Sequence, residues 1–450
     1  MARLRKPPKF NELIEKFEPS VIFPALEKYG PTDSKGQYLH WDKFQWRVEK
    51  HANKELAWLA TKYARHANSK QIQTLSAEGG KTFKYCVPES LQAMLHRIDT
   101  QTGGGYKIGE DSFVTSREKD RYLVKSLMME EAISSSQLEG ASTTRKVAKE
   151  MLEESRKPKD KSEQMIFNNF LLMEKAVELK DEPLSIDMIL ALHKIATFKA
   201  IDNDAVSGQL REDDNITVAN IYNEVAHEPP CHTTLIDRLN ELCDFANDRH
   251  DQQGSANFMH PMIKAIILHF MIGYIHPFGD GNGRTARALF YWFMLKSGYW
   301  LFEYVSISKL IQEKRSEYDT AYIYTETDDF DLTYFLYHQV DVINKAVSAL
   351  HDHVEAKRQQ FYEFMNWIDK SPVSKRLKHG ALEILKTAVK QPGRVFTAKV
   401  VAQDLGVNEN TARAYLNALV EEDLLLSSTK KGQRGLIYIA PNRIREQLKI

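Results

Sequence analysis

The chain has 450 residues, 42% of them hydrophobic, with Lys plus Arg and Asp plus Glu equal at 61 each. That length allows two or three domains with substantial cores. The balanced charge gives no global case for a nucleic-acid or membrane-surface protein.

Cys86, Cys231 and Cys243 show neither a pairing pattern nor metal-ligand spacing, which suits a reducing compartment. No apolar run reaches membrane length, and no apolar segment follows the basic start to make a signal peptide. The expectation is a cytoplasmic protein without a membrane partner. Residues 1–110 read as a mainly helical N-terminal extension, with Trp46–Tyr63 periodic and Gly79-Gly80 and Gly103-Gly104-Gly105 as loops. Nothing there points to chemistry. A structural role is expected, a docking or lid role being the alternative.

From Arg121 to Gly140, Tyr122, Leu123, Leu127, Met128 and Ala132 recur at helical spacing, and Gly140 is a terminator. Ser135 and Glu139 are four apart and share a face in the last turn. A glutamate at a helix C-terminus opposes the macrodipole, so Glu139 is either solvated or held by a partner cation. A charged, proline-containing connector (155–164) precedes a helix from Met165 to Leu179 with Phe167, Phe170, Leu171 and Ala176 towards a core. Ser185 is placed to cap a helix from Ile186 to Phe198 with Ile189, Leu192 and Ile195 on one stripe. Ser207–Arg211 is turn-like, Ile216–Val218 is β-prone, and Val225–His227 runs into Pro229-Pro230, which suits a hairpin flap. Thr233–Arg249 reads as a helix with Leu235, Leu239, Leu242 and Phe245 inward.

Met262–Ile275 is apolar nearly all round, as in a central buried helix. A second such run, Thr285–Lys296, stops at Ser297-Gly298. Between them lies His276-Pro-Phe-Gly-Asp-Gly-Asn-Gly-Arg-Thr-Ala-Arg287. Glycines at 281 and 283 let backbone N–H groups turn inward at the start of the second helix, an anion site by geometry and dipole. Arg284 and Arg287 can reach one anion from adjacent turns. Asp280 beside a polyphosphate suits Mg²⁺, which takes few protein ligands. His276 can accept a proton from an attacking hydroxyl. His260, His269 and His276 lack the HExxH spacing of a zinc site, and the first two are read as packing or capping residues.

These residues resemble the HPFx[D/E]GNGRxxR signature of the Fic family at every defined position. The resemblance implies a mainly α fold, a Fic helical core with a β-hairpin flap, and transfer of AMP from ATP to a protein hydroxyl with Mg²⁺. It implies His276 as the base, Asp280 for the metal, and Gly281, Asn282, Gly283, Arg284, Thr285, Ala286 and Arg287 for the nucleotide, with Phe278 as the loop's anchor. Ser135-x-x-x-Glu139-Gly140 resembles the [S/T]xxxE[G/N] inhibitory motif of the class with an in-chain inhibitory helix, here about 119–140. In that class the glutamate pairs with the second arginine of the signature, here Arg287. Parting such a pair at about 3 kcal/mol restrains productive ATP binding by two to three decades. Glu224, Val225, Ala226 and His227 correspond to flap residues that clamp a target segment and touch nucleotide, and Tyr318 to a tyrosine near the adenine. An asparagine that often contacts nucleotide is replaced by Glu326.

Beyond Ser371-Pro372 the order changes to helix (Gly380–Val389), helix (Ala398–Leu405), turn at Gly406, helix (Asn410–Glu422) and two short strands around Lys430–Arg434. This is the winged-helix pattern, and it resembles the tails of other Fic proteins. Its third helix offers Asn408, Asn410, Arg413 and Asn417 but also Glu409, Glu421, Glu422 and Asp423, so DNA contact and protein docking or a homodimer contact both stay open. The expected domains are 1–110, a Fic domain over 111–345, a helical linker over 346–376 and a winged helix over 377–450. The expected activity is autoinhibited AMP transfer to Ser, Thr or Tyr of a target protein or of the chain itself. The alternatives are AMP removal using Glu139, and a DNA-binding regulator with a nucleotide-sensing core.

Overall fold

The computed structural model describes residues 4–102, 117–201, 205–219, 225–250, 257–390, 393–429, 436–441, 444 and 448. The side chains of 117–127 and of 357, 358, 360, 361, 368, 369, 390 and 429 stand outside that description. Gly103–Gly105, the side chains of Tyr122, Leu123 and Leu127, Glu224 and the basic wing at Lys430–Arg434 therefore lie outside the described residues. The fold is mainly helical and divides into two units, Met1–Leu350 and His351–Ile450. The helix Thr333–Lys370 crosses the division.

The first unit is built round two antiparallel neighbours, Pro261–Ile275 and Asn282–Lys296, whose side chains are buried on nearly every face. Such all-round apolarity needs neighbours on every side. Lys161–Glu178, Ile186–Thr197 and Leu235–Asn247 supply them, sharing one hydrophobic core with Phe278, Leu289, Phe290 and Trp292. Each such large side chain, fully buried, contributes about 1.5–3 kcal/mol. Capping follows the sequence: the Ser185 hydroxyl accepts from the Met188 N–H and Asp160 from Glu163. His260 accepts from the Met262 N–H as N-cap of its helix, and His269 is buried with Nε2 3.0 Å from the Tyr318 hydroxyl. Leu171 departs from expectation. It is 38% exposed, while Met165, Ile166, Leu172 and Met173 carry the inward face of its helix.

The N-terminal region is less uniformly helical than its pattern implies. The stretch from Trp46 to Tyr63 is not one helix: a turn follows Trp41–Phe44, and Asn53 caps a new helix, Lys54–Asn68, by accepting from the N–H groups of Glu55 and Leu56. Trp46 is exposed, with the Lys54 ammonium 4.7 Å from its ring. Lys70–Ser76 and Thr82–Tyr85 then pair as an antiparallel hairpin through Gly79 and Gly80. Buried polar links fasten this region to the helices after the core. Lys62 pairs with Asp328 at 2.7 Å, Arg65 donates to the Tyr334 hydroxyl at 2.7 Å, and the Tyr38 hydroxyl donates to Asp331 at 2.6 Å.

In the second unit, His379–Lys390, Ala398–Leu405 and Glu409–Glu421 precede a three-stranded sheet. Its central strand Leu436–Ile439 lies between Leu426–Thr429 and a strand the sequence did not announce, Val395–Phe396. Among the described residues no helix is long and apolar enough to cross a membrane.

Candidate functional site

The first central helix ends because His276 adopts a left-handed conformation (φ 47°, ψ 56°), costly for a side-chain-bearing residue. Arg211 holds it there: its Nε donates to the His276 carbonyl at 3.0 Å, and its backbone N–H to the Pro277 carbonyl at 3.0 Å. The imidazole Nδ1 lies 3.3 Å from the Gly273 carbonyl. That contact assigns the proton to Nδ1 and leaves Nε2 as the acceptor. Burial lowers the His276 pKa to about 4, so the ring is neutral near pH 7.

The loop then closes on itself. Asn282 accepts from the Phe278 N–H at 3.0 Å and donates to the Phe278 carbonyl at 2.7 Å, so its side chain staples the loop. The Phe278 ring is fully buried and stacks on His193 at 3.7 Å and 3°. His193 accepts from the Gly208 N–H through Nδ1 and donates through Nε2 to the Asp280 carbonyl at 2.8 Å. Gly281, at φ 83°, caps the second helix where a Cβ would collide with Thr197 and His193. Neither Arg211 nor His193 was singled out from the sequence. Only the turn-like Ser207–Arg211 stretch hinted at the first.

Glu139 occupies the start of the second helix. The helix Arg117–Leu138 ends in a turn, with the Ala141 N–H bonded to the Ser136 carbonyl and Gly140 at φ 97°. This aims Glu139 at Gly283, where an added Cβ would overlap its carboxylate. Oε1 accepts from Arg287 Nη2 at 2.8 Å, and Ser135 engages the same guanidinium through its hydroxyl at 2.8 Å and its carbonyl at 3.2 Å. The Glu139 oxygens thus stand where those of an anionic ligand would. Burial pushes the Glu139 carboxyl up, but Arg287, Arg284 and Arg315 outweigh it and hold the pKa below the ordinary value. Arg315, also unforeseen, donates to the Leu138 carbonyl and so ties down the end of that helix.

His276, Glu139, Gly283, Arg287, Tyr318 and His227 line one cavity of about 120 Å³, with Asn282 and Ala226 beside them. Other expected site residues lie behind it or outside. The Thr285 hydroxyl bonds back to the Gly281 carbonyl and Ala286 is buried, so neither side chain lines the cavity. Val225 is 60% exposed on the outer face of the flap, whose strands Val218–Ala219 and Val225–His227 pair antiparallel. Arg284 bonds the Ala196 carbonyl and Asp280, leaving its buried Nε without a partner among the described residues. Asp280 is partly exposed; its Oδ1 accepts from the Gly281 N–H and Arg284, and no bond to Oδ2 occurs among the described residues. Glu326, standing where an asparagine was expected, instead grips the flap: His227 lies 2.9 Å from its Oε2 and 2.7 Å from the Tyr274 carbonyl.

Residues 183–294 match the Fic/DOC family profile. The chain is 26% identical over 215 residues to "Protein adenylyltransferase Fic" of Nematostella vectensis, covering 46% of each. It is 29% identical over 118 residues to "Uridine 5'-monophosphate transferase" of Xanthomonas campestris pv. campestris, covering 26% of this chain and 22% of that protein. The chain thus spans about half or less of the length of the curated relatives it matches. The crystal structure of a Fic family protein from Desulfovibrio desulfuricans aligns over 79% of this chain and 97% of that one, with a TM-score of 0.52 and 19% identity, a likeness of fold.

Proposed function

We propose that this chain, whose residues 183–294 match the Fic/DOC family, transfers AMP from ATP to a Ser, Thr or Tyr hydroxyl of a target protein or of itself, restrained by Glu139. The observation that carries this reading is one cavity lined by an imidazole acceptor, a glycine at a helix N-terminus, and an arginine neutralised by a carboxylate. His276 Nε2 takes the hydroxyl proton, the hydroxyl oxygen bonds to the α-phosphorus, and the bond to the β-phosphate oxygen breaks to release pyrophosphate. The amides at the helix start and the guanidinium of Arg287 offset the phosphate charge, and Arg284 Nε, without a partner among the described residues, is a second donor of the same kind. Asp280 fits the role of sole carboxylate ligand to Mg²⁺, with Oδ2 uncommitted while Oδ1 is anchored. When bound, that ion neutralises phosphate charge.

Glu139 sets the restraint. While it holds Arg287, its carboxylate excludes phosphate oxygens from the same amides, and ATP binds productively only after the pair parts. The second reading, hydrolysis of AMP from a modified protein, rests on Glu139 and His276 facing one cavity, where the carboxylate can orient water. The experiment for both is mass spectrometry of Glu139→Gly incubated with ATP, Mg²⁺ and cell lysate. AMP adducts on hydroxyl residues support transfer. Their absence, in a variant that still binds ATP, rejects it. Loss of AMP removal in the same variant supports the hydrolytic reading.

The module after the long helix we take to be a winged helix used for docking. Of its four candidate base-reading residues, Asn408 caps its own helix and Asn417 accepts from the Tyr438 hydroxyl, while Glu409 and Glu421 are exposed. Duplex DNA that shifts the protein in a gel, with binding that weakens as salt rises, would overturn this.

A further inference from the structure

We propose that Asp214, Cys231 and His232 form a binding site for a divalent cation of the zinc class at the base of the flap. Among the described residues it is the one group of three or more His, Cys, Asp or Glu side chains whose donor atoms converge. The site is separate from Asp280 and its ligands are of a different kind: thiolate, imidazole and carboxylate are a zinc set, whereas Mg²⁺ prefers oxygen alone.

The spacing fits the ion. Sγ of Cys231 is 3.2 Å from Oδ2 of Asp214 and 4.0 Å from Nδ1 of His232, and that Nδ1 is 3.1 Å from Oδ2. With Zn–S, Zn–N and Zn–O bonds of about 2.3, 2.05 and 2.0 Å, tetrahedral geometry puts the three donors about 3.3–3.6 Å apart. Shifts of a few tenths of an ångström bring the observed triangle to that shape. The carboxylate is already oriented for it: Oδ1 is fixed by Arg211 Nη1 at 2.8 Å and by the His232 N–H at 2.6 Å, which turns Oδ2 towards the other two donors. Cys231 and Asp214 are exposed and His232 half-buried, so an ion has a way in, and water or a donor from a bound partner completes the tetrahedron.

The location gives the site a consequence. Asp214 precedes the flap and Cys231-His232 follow it, so a shared ion ties the two ends of the segment carrying Val218–Ala219 and Val225–His227. The Asp214 carboxylate also anchors Arg211, which in turn holds the His276 and Pro277 carbonyls and bonds the Pro230 carbonyl. Metal occupancy therefore stiffens the flap and the mount of His276 together.

Cobalt substitution on the full chain tests this, because a Co²⁺–thiolate bond gives a charge-transfer band and tetrahedral Co²⁺ gives visible bands. Cys86 and Cys243 are buried, which leaves Cys231 as the accessible thiol. The expected result is both bands saturating at one equivalent of Co²⁺, displaced by one equivalent of Zn²⁺, and absent in Cys231→Ser. Zn²⁺ should also slow alkylation of Cys231 at least tenfold in the natural chain, and markedly less in His232→Ala. Absence of a charge-transfer band at one equivalent, its persistence in Cys231→Ser, or alkylation indifferent to Zn²⁺ would overturn the proposal.

Discussion

Glu139 and Arg287, 148 residues apart in the chain, meet at 2.8 Å over Gly283, with Ser135 completing the arginine's coordination. Arg287 is nearly fully buried, whereas Glu139 keeps 25% of its side chain exposed. The pair therefore stands between a surface bridge worth at most about 1 kcal/mol and a buried one whose rupture costs about 3–5 kcal/mol. About 2 kcal/mol, or roughly thirtyfold, is a better figure than the two to three decades expected from a fully buried pair. Glu139→Gly should raise AMP incorporation from labelled ATP by about that factor. Unchanged incorporation would refute the restraint.

Gly283 tests the shape of the cradle independently. A methyl group there overlaps the Glu139 carboxylate and comes 3.0 Å from Arg287 Nη1, so it occupies the space that the proposed reaction assigns to an ATP oxygen. Placed in the Glu139→Gly background, Gly283→Ala should weaken ATP binding by at least tenfold in calorimetry. Equal affinity in the two proteins would mean that the phosphates lie elsewhere.

His276 is best replaced by asparagine, which tolerates the left-handed backbone it occupies. His276→Asn should lower AMP transfer at least a hundredfold while leaving ATP affinity within about twofold, since a general base contributes to the chemical step. A parallel loss of ATP affinity would assign the residue to binding.

Acid should destabilise this protein through its buried histidines. Burial lowers His40, His193, His276 and His338 from 6.5 to about 4, and His269 to about 3. Between pH 6.5 and 4 the unfolded chain therefore binds more protons than the folded one at these sites. Their net effect is stability that rises with pH and is lost as pH falls through that window. The urea midpoint should drop between pH 6.5 and 4.5. A flat profile across that range would contradict the burial of these rings.

His227 behaves in the opposite sense. Burial alone would lower its pKa, but Glu326 and the Tyr274 carbonyl face its two nitrogens and raise it above 6.5. Its contribution is complete below the unfolded value and fades as pH rises through the raised one. Glu326→Gln should bring the His227 titration, followed by NMR, down below 6.5 and speed amide exchange in Val225–His227. An unmoved titration would show that the carboxylate does not hold the flap.

Much of the site was legible because its parts are local. The helix–loop–helix, the cap at Ser185, the turn at Gly140 and the spacing of Ser135 and Glu139 are all set within a few residues. The N-terminal hairpin was not legible, because its partners Lys70 and Tyr85 are joined by pairing across a turn and not by any period within one strand. Nor was the bonding of the Asn282 side chain to both backbone groups of Phe278 legible, since residue type alone does not say which groups a loop turns towards each other.

By itself the order of residues determined the two central helices and the glycine-rich loop between them with its histidine and carboxylate, since hydrophobic period, glycine and capping act over short range. Tertiary structure alone decided which groups face the same space. It brought Glu139 to Arg287, mounted His276 on Arg211, and gathered Asp214 with Cys231 and His232. Those meetings depend on how distant segments pack, and packing is a property of the whole core that no single stretch encodes.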